Sequence, residues 1–214
     1  MKLYNAGLSP FAARCRIQIR AKGLAVDIVD PPGGLHSPEY DAITRIGKVP
    51  VLHDGDFVLP ESELICEYLE DRFPEKPLRP ASPEDRSRAR LVSRLCDLYL
   101  MKPMGVLFGQ LNPKTRDEKV VAENAAEAKK ALGHLEHYTG ADGFVVGGKL
   151  SLGDCTLVPM LFFVTTLGPA MGLGANPLAD FPKLARVWER AGKDPVMTQA
   201  IGEMAEGLRK MQGG

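Results

Sequence analysis

The spacing of apolar residues in the first third of the chain alternates between strand-like and helix-like. Four short apolar runs predict β-strands, at residues 1–4, 24–29, 49–52 and 57–59. Between the first two runs, Ser9-Pro10 opens a segment that stops at Gly23, and these start and stop signals predict a helix. Strands and helices in alternation predict a small α/β domain.

A hairpin and a second helix follow in this first domain. The pair Asp54-Gly55 separates the last two strand-like runs and is typical of a tight hairpin turn. From Glu61 the apolar residues recur about every 3.6 positions instead of every second one, which predicts a helix that ends before Phe73. The expected buried face of this helix consists of Leu64, Ile65, Tyr68 and Leu69.

The remainder of the chain shows helical spacing only. Pro77, Pro80 and Pro83 interrupt the pattern, and we therefore expect two domains, at residues 1–78 and 83–214. A helix is expected from Ser82 toward Gln110, with inward-facing residues Leu91, Leu95, Leu98 and Met101. The next helix carries a bundle-type stripe made of Val121, Ala125, Ala128, Leu132 and Leu135.

The last part of the chain predicts a buried central helix and a further amphipathic one. Ser151-Leu-Gly-Asp154 is a capping pattern that opens an apolar helix ending near Leu167. The amphipathic helix follows Phe181-Pro182 and carries Leu184, Val187 and Trp188. We expect the tail, Leu208–Gly214, to be loosely held.

Charge balance narrows the classes of partner. The 214 residues contain 27 Lys and Arg against 27 Asp and Glu, so no basic field exists to attract nucleic acid or an anionic membrane. The N-terminal segment lacks the apolar core of a secretory signal, and no run of about 18 apolar residues occurs. We therefore expect a cytoplasmic protein that binds neither nucleic acid nor membranes.

The cysteines favour buried thiols over disulfides or a metal site. Cys15, Cys66, Cys96 and Cys155 are far apart in the sequence, and none belongs to a C-x-x-C pair or has a histidine at ligand spacing. Each lies in a segment that is expected to be helical and apolar. We expect free, mostly buried thiols and no bound metal.

Ser9 is the first candidate for chemistry. A serine before Pro10 is most simply an N-cap, whose oxygen accepts from a backbone amide of the first turn. The free amides and the macrodipole at a helix N-terminus also favour negative charge. A thiolate held there would have a lowered pKa, so the position could activate a thiol supplied by a ligand.

The segment Gly47-Lys48-Val49-Pro50 is the second candidate. A proline that opens a strand cannot donate to the sheet, and a cis Val49-Pro50 bond would direct the main chain of Val49 away from the sheet, where a peptide-like ligand could pair with it. A plain turn from loop to strand is the alternative.

Pro60-Glu61-Ser62, at the start of the second helix, is the third candidate. Ser62 could simply cap this helix, with Glu61 favoured by the dipole. Alternatively, Ser62 and the free amides bind a small carboxylate while Glu61 binds an adjacent ammonium group. Such a pair would receive the α-amino-acid end of a ligand.

These motifs, in this order and spacing, resemble the glutathione transferase family over essentially the whole chain. The resemblance implies an α/β plus all-α fold: an N-terminal thioredoxin-like domain that binds glutathione and a C-terminal helical bundle domain that contributes the electrophile pocket. It also implies a homodimer and a role in detoxification, with glutathione and an electrophilic, largely apolar molecule as substrates.

The resemblance assigns a role to each candidate. Ser9 would be the catalytic residue, whose hydroxyl donates to the glutathione sulfur. Val49 would pair with the cysteinyl backbone, and Glu61 and Ser62 would hold the γ-glutamyl end. The glycyl carboxylate would be bound by two basic residues, His36 and Lys48.

Two rivals for the catalytic role are disfavoured by their positions. Tyr4 resembles the tyrosine that some classes use, but it lies inside the first strand and not at the turn into the helix. Cys15 resembles the cysteine of classes that form mixed disulfides with glutathione, but it lies more than a turn into the helix.

Departures from the family pattern bear on subclass and reaction. The loop Ile43–Gly47 lacks the usual Asn-Pro form. Zeta-type isomerases have Ser-Ser-Cys where this chain has Ser9-Pro10-Phe11, and an arginine on the central helix where this chain has Thr166. In the isomerases that arginine binds a dicarboxylate substrate, so its absence argues against maleylacetoacetate isomerisation. The Ser-Pro-Phe form looks more like tau-type and related bacterial transferases.

Three other functions remain open from the sequence. One is a glutathione-dependent isomerase of the maleylacetoacetate or maleylpyruvate type. Another is a glutathione-dependent lyase or dehalogenase. The third is a non-catalytic, dimeric glutathione-binding module, because fold alone does not decide activity.

Overall fold

The computed structural model describes residues 1–213, which form two compact units. Unit 1 comprises Met1–Arg79 together with the segment from Asp194 onward, and unit 2 comprises Pro80–Lys193. The sequence pattern placed the C-terminal segment in the helical domain, whereas its contacts group it with unit 1. Gly214, the last residue of the predicted second domain, lies outside the described residues.

Unit 1 is built on a mixed four-stranded sheet. Its strands are β1 (Lys2–Tyr4), β2 (Asp27–Val29), β3 (Val51–Asp54) and β4 (Phe57–Pro60), in the order β2-β1-β3-β4. β1 is parallel to β2 and antiparallel to β3, and β4 forms the predicted hairpin with β3. β3 begins at Val51, later than the pattern suggested, because Pro50 has no N–H for the ladder.

Three helices accompany the sheet within Met1–Arg79: α1 (Pro10–Lys22), α2 (Pro38–Asp41) and α3 (Ser62–Arg72). The predicted ends of α1 are confirmed: Ser9 Oγ accepts from the Ala12 amide at 3.2 Å, and Gly23 ends the helix with φ 69°. The prediction for α3 was wrong at Leu64, which is 55% exposed, whereas Ile65 and Leu69 are fully buried.

A buried carboxylate joins α1 to α3 and to the segment that leaves α3. Glu70 Oε1 accepts from Lys22 Nζ at 2.9 Å and from Gln18 Nε2 at 3.0 Å. Its other oxygen accepts from the backbone amides of Leu78 and Arg79, at 3.1 and 3.0 Å. Removing one partner would leave a buried charge uncompensated, so this cluster fixes α1 firmly against α3.

Unit 2 is entirely helical in its regular structure. Its helices are α4 (Pro83–Leu95), continued by a π-helical turn (Cys96–Leu100), then α5 (Met101–Gly109), α6 (Glu118–Tyr138), α7 (Leu152–Leu167) and α8 (Pro182–Ala191). The predicted stripe of α6 is buried throughout, and α7 is buried along nearly its whole length, as a central helix should be. Within residues 1–213, no helix combines the length and apolar character that a membrane crossing requires.

The inward face of α4 differs from the prediction. Leu91 and Leu98 are 37% and 52% exposed, although both were expected to face the core. Leu95 is buried, as predicted. Beside it, the smaller residues Ala89, Val92 and Cys96 are buried in place of Leu91 and Leu98. Small side chains allow α4 to pack closely on α7, where the Ser93 and Thr156 hydroxyls lie 2.9 Å apart.

The C-terminal helix, α9 (Pro195–Gly213), extends into the segment that was expected to be loosely held, although residues 209–212 are exposed. Asp194 caps it by accepting from the amides of Val196 and Met197. Leu208 is only 6% exposed. Glu203 forms ion pairs with two arginines of α1, so α9 packs on α1 through charge as well as apolar contact.

The predicted cap of α7 is confirmed and proves to be a buried junction. Asp154 accepts from the Ser151 amide at 2.9 Å, from the Ser151 hydroxyl at 2.6 Å and from the Val145 amide at 2.8 Å. Gly153 cannot carry a side chain, because a Cβ there would lie 2.6 Å from a Val145 methyl. Burial raises the pKa of Asp154 to about 6, against the opposing effect of these hydrogen bonds.

This raised pKa predicts a pH-dependent contribution of Asp154 to stability. The folded state retains a proton that the unfolded state releases near its ordinary, lower pKa, so the stabilisation is greatest at acidic pH and is lost as pH rises through about 6. In Asp154→Asn the contribution cannot titrate. The difference in free energy of unfolding between wild type and Asp154→Asn should therefore decrease from about pH 5 to about pH 7.

Urea denaturation of both proteins across that range measures the difference. Asp180→Asn, at an exposed position, is the matched control and should follow wild type at every pH. A difference between wild type and Asp154→Asn that stays constant, or widens with pH, would contradict the assignment.

Candidate functional site

Three segments of unit 1 meet around one cavity of about 160 Å³. They are the first turn of α1, the loop that precedes β3, and the junction between β4 and α3. The lining residues are Phe11, Ile46, Lys48, Val49, Pro50, Pro60, Glu61 and Ser62. Of the six glutathione-binding residues proposed from the sequence, four line this one cavity: Lys48, Val49, Glu61 and Ser62.

The loop before β3 is held in place by Tyr40. The Val49-Pro50 bond is cis, which is the first of the two alternatives that the sequence left open. Tyr40 donates from its hydroxyl to the carbonyl of Lys48 at 2.8 Å, and its buried ring packs edge-on against Tyr4. Burial raises the pKa of Tyr40 to about 12, so it remains a neutral donor at physiological pH. The main chain of Lys48 and Val49 is therefore anchored beside the cavity.

Glu61 precedes α3 with an uncommon backbone conformation. Its φ is 72° and its ψ is 107°, in a region that costs a residue with a Cβ about 1–3 kcal/mol. Ser62 is the first residue of α3, so the interpretation of Ser62 as the N-cap was wrong: Glu61 occupies that position. Strained positions of this kind cluster at functional sites, and here the strain directs Glu61 and the first turn of α3 to the same cavity.

Ser9 and His36 are not among the residues that line this cavity. Ser9 caps α1. Phe11, in the first turn of the same helix, lines the cavity. His36 has a φ of 63° and lies against Gly47, where a Cβ would come within 2.8 Å of His36 Nδ1. His36 therefore lies next to Gly47, but it does not line the cavity.

The rival catalytic residues are both buried. Tyr4 is 8% exposed and stacks on His53, while Cys15 is fully buried. All four cysteines are reduced and buried, as expected. Ile46 and Pro60 also line the cavity, although the sequence predicts a binding role for neither: Pro60 is only the start of the third motif, and Ile46 is only part of the loop before Lys48.

The site offers opposite charges and two helix N-termini. Lys48 carries a positive charge on one segment, and Glu61 carries a negative charge on another. The first turns of α1 and α3 provide backbone amides and the positive ends of their dipoles. This combination suits a zwitterionic, extended ligand with an anionic group near a helix terminus. Within residues 1–213, no group of three or more His, Cys, Asp or Glu side chains could hold a metal ion.

Comparisons with known proteins agree over both halves of the chain. Residues 3–77 match the family described as "Glutathione S-transferase, N-terminal domain", and residues 95–195 match "Glutathione S-transferase, C-terminal domain". Maleylacetoacetate isomerase of Pseudomonas aeruginosa is 31% identical, over 94% of this chain and 95% of the relative. A stringent starvation protein A homolog of Coxiella burnetii is 29% identical, over 96% of this chain and 95% of the relative.

Solved structures support the fold class. The glutathione transferase URE2P5 of Phanerochaete chrysosporium superposes with a TM-score of 0.84 at 21% identity, covering 99% of this chain and 97% of that one. The expected fold, a thioredoxin-like domain with a mixed sheet and an all-helical C-terminal domain, is confirmed.

Proposed function

The chain belongs to the glutathione S-transferase family, and from this premise we propose that it activates the thiol of glutathione for attack on an electrophilic, largely apolar substrate. The observation that carries this proposal is the cavity at which cis-Pro50, Lys48 and the strained Glu61 meet beside the first turn of α1. These residues offer complementary groups for a peptide with a free α-amino-acid end.

Ser9 is the proposed catalytic residue. Its oxygen accepts from the Ala12 amide, and a hydroxyl that accepts one bond still has its own proton to donate. That proton would be donated to the glutathione sulfur, and the helix dipole would add to the stabilisation of the thiolate. Since the thiolate is the nucleophile, a lowered thiol pKa increases the reactive fraction at neutral pH.

The remaining contacts are proposed along the length of glutathione. Glu61 would bind the α-ammonium of the γ-glutamyl end, and Ser62 with the first-turn amides of α3 would bind the adjacent carboxylate. Val49 would pair its main chain with the cysteinyl residue, as an added strand does. Lys48 and His36 would meet the glycyl carboxylate.

A homodimer in the cytoplasm, acting in detoxification, completes the proposal. Each unit exposes large apolar side chains that a second copy could cover. They are Phe57 and Leu64 in unit 1, and Leu91, Leu98 and Tyr99 in unit 2. The Ser-Pro-Phe form of the first turn of α1 supports a serine-type, tau-like subclass.

A glutathione-dependent isomerase is the second candidate. It is favoured by the 31% identity to the relative named maleylacetoacetate isomerase. Ser9-Pro10-Phe11 and Thr166 depart from the isomerase pattern described above. Product analysis separates the two reactions, because transfer consumes glutathione in a conjugate whereas isomerisation returns it.

We expect Ser9→Ala to reduce turnover with an aryl halide by about 10²–10³-fold, by analogy with the removal of one anion-stabilising donor. Its pH–rate profile should also shift to higher pH, because the thiol of bound glutathione would ionise less readily. Steady-state kinetics across the pH range measure both effects. Ser87→Ala, at an exposed position of α4, is the control. Unchanged turnover and profile in Ser9→Ala would refute the catalytic role.

We expect Glu61→Gln to weaken glutathione binding about tenfold or more, because a hydrogen bond to a charged group contributes about 1.5–3 kcal/mol. Isothermal titration calorimetry measures the dissociation constant. Glu75→Gln, at an exposed position, is the matched control and should bind as wild type does. Equal affinity of Glu61→Gln and wild type would reject the γ-glutamyl assignment.

A further inference from the structure

Two buried thiols lie side by side between α1 and α3. The sulfur atoms of Cys15 on α1 and Cys66 on α3 are 4.0 Å apart. Cys15 is fully buried and Cys66 is 3% exposed. The Cys15 thiol also donates to the carbonyl of Ser62, with 3.6 Å between sulfur and oxygen. The pair therefore contacts the same first turn of α3 that lines the cavity.

The surroundings hold these thiols at short range. Gln18 Nε2 donates to the carbonyl of Cys66 at 2.8 Å, and α1 and α3 are further joined through Glu70. A disulfide has about 2.05 Å between its sulfur atoms, so its formation requires the sulfurs, now 4.0 Å apart, to move toward each other. The proposed transferase reaction makes no use of either thiol.

We propose that Cys15 and Cys66 form a redox-sensitive pair that hydrogen peroxide converts to a disulfide. One sulfur attacks the O–O bond and becomes a sulfenic acid, releasing water. The second thiol then displaces the hydroxyl as another water, and the S–S bond forms. Two thiols thus lose two electrons and two protons, and one peroxide is reduced to two waters. Burial selects a small oxidant, because glutathione disulfide could not reach these sulfurs.

The disulfide has a consequence for ligand binding, and this part of the inference rests on the proposed function. Once oxidised, Cys15 has no S–H to donate, so its bond to the Ser62 carbonyl is lost. The approach of the sulfurs also displaces the first turn of α3 relative to α1. Since Glu61 and Ser62 are proposed to hold the γ-glutamyl end, oxidation should weaken glutathione binding.

Peptide mapping of the full-length wild-type protein tests the chemistry. The reduced protein is treated with hydrogen peroxide, blocked with an alkylating reagent under denaturing conditions and digested without reductant. We expect a peptide pair linked through Cys15 and Cys66, while Cys96 and Cys155 of unit 2 stay reduced. Added oxygen on either cysteine without a linked pair, or four alkylated thiols, would overturn the proposal.

Calorimetry of the same samples tests the consequence. Oxidised wild type should bind glutathione about tenfold more weakly than reduced protein, with recovery after dithiothreitol. Cys66→Ser and Cys66→Ala, two alternatives in case one folds poorly, should keep their affinity after peroxide. A linked peptide with unchanged affinity would overturn the regulatory role. Failure of reduced protein to bind glutathione would instead contradict the proposed function, leaving the peptide result valid.

Discussion

The burial of helix α1 is the constraint on which the rest of unit 1 depends. Both apolar and polar side chains of α1 are buried. Its buried polar groups therefore require hydrogen-bond or ion-pair partners. Arg16 supplies two of these links, donating to the Gly7 carbonyl at 2.9 Å and pairing with Glu203 of α9 at 2.8 Å. Burial lowers the pKa of Arg16, with Glu203 opposing the shift. At the other end, Lys22 binds Glu70 of α3. The helix is thus fixed against α3, α9 and the loop that leads into Ser9.

This fixed helix gives the candidate site its geometry. Because Arg16 holds the carbonyl of Gly7, the turn that presents Ser9 follows the position of α1. Helix α3 is fixed against α1 through Glu70 and Gln18, and the loop before β3 is fixed through Tyr40. Three anchored segments can then present Lys48, Val49 and Glu61 to one cavity with little rearrangement. Anchoring of this kind lowers the conformational cost of binding a flexible tripeptide.

Local signals made much of this arrangement predictable. The caps at Ser9 and Asp154, the hairpin at Asp54-Gly55 and the cis Val49-Pro50 bond depend on neighbouring residues, so the sequence pattern could find them. The sequence did not predict the exposure of Leu64, Leu91 and Leu98. Apolar spacing identifies a possible buried face of a helix, but where two such faces exist it does not show which one packs against another element. The grouping of α9 with unit 1, and the proximity of Cys15 to Cys66, arise from long-range packing that no local pattern encodes.

The central claim is that the first turn of α1 stabilises a ligand thiolate. The most direct test is a pH titration of the ultraviolet absorbance of the thiolate, with glutathione bound to saturation. An ordinary cysteine thiol has a pKa of about 8.5, and the bound thiol should titrate about one unit or more below the value of free glutathione. A bound thiol that titrates at the same pH as free glutathione would contradict the account.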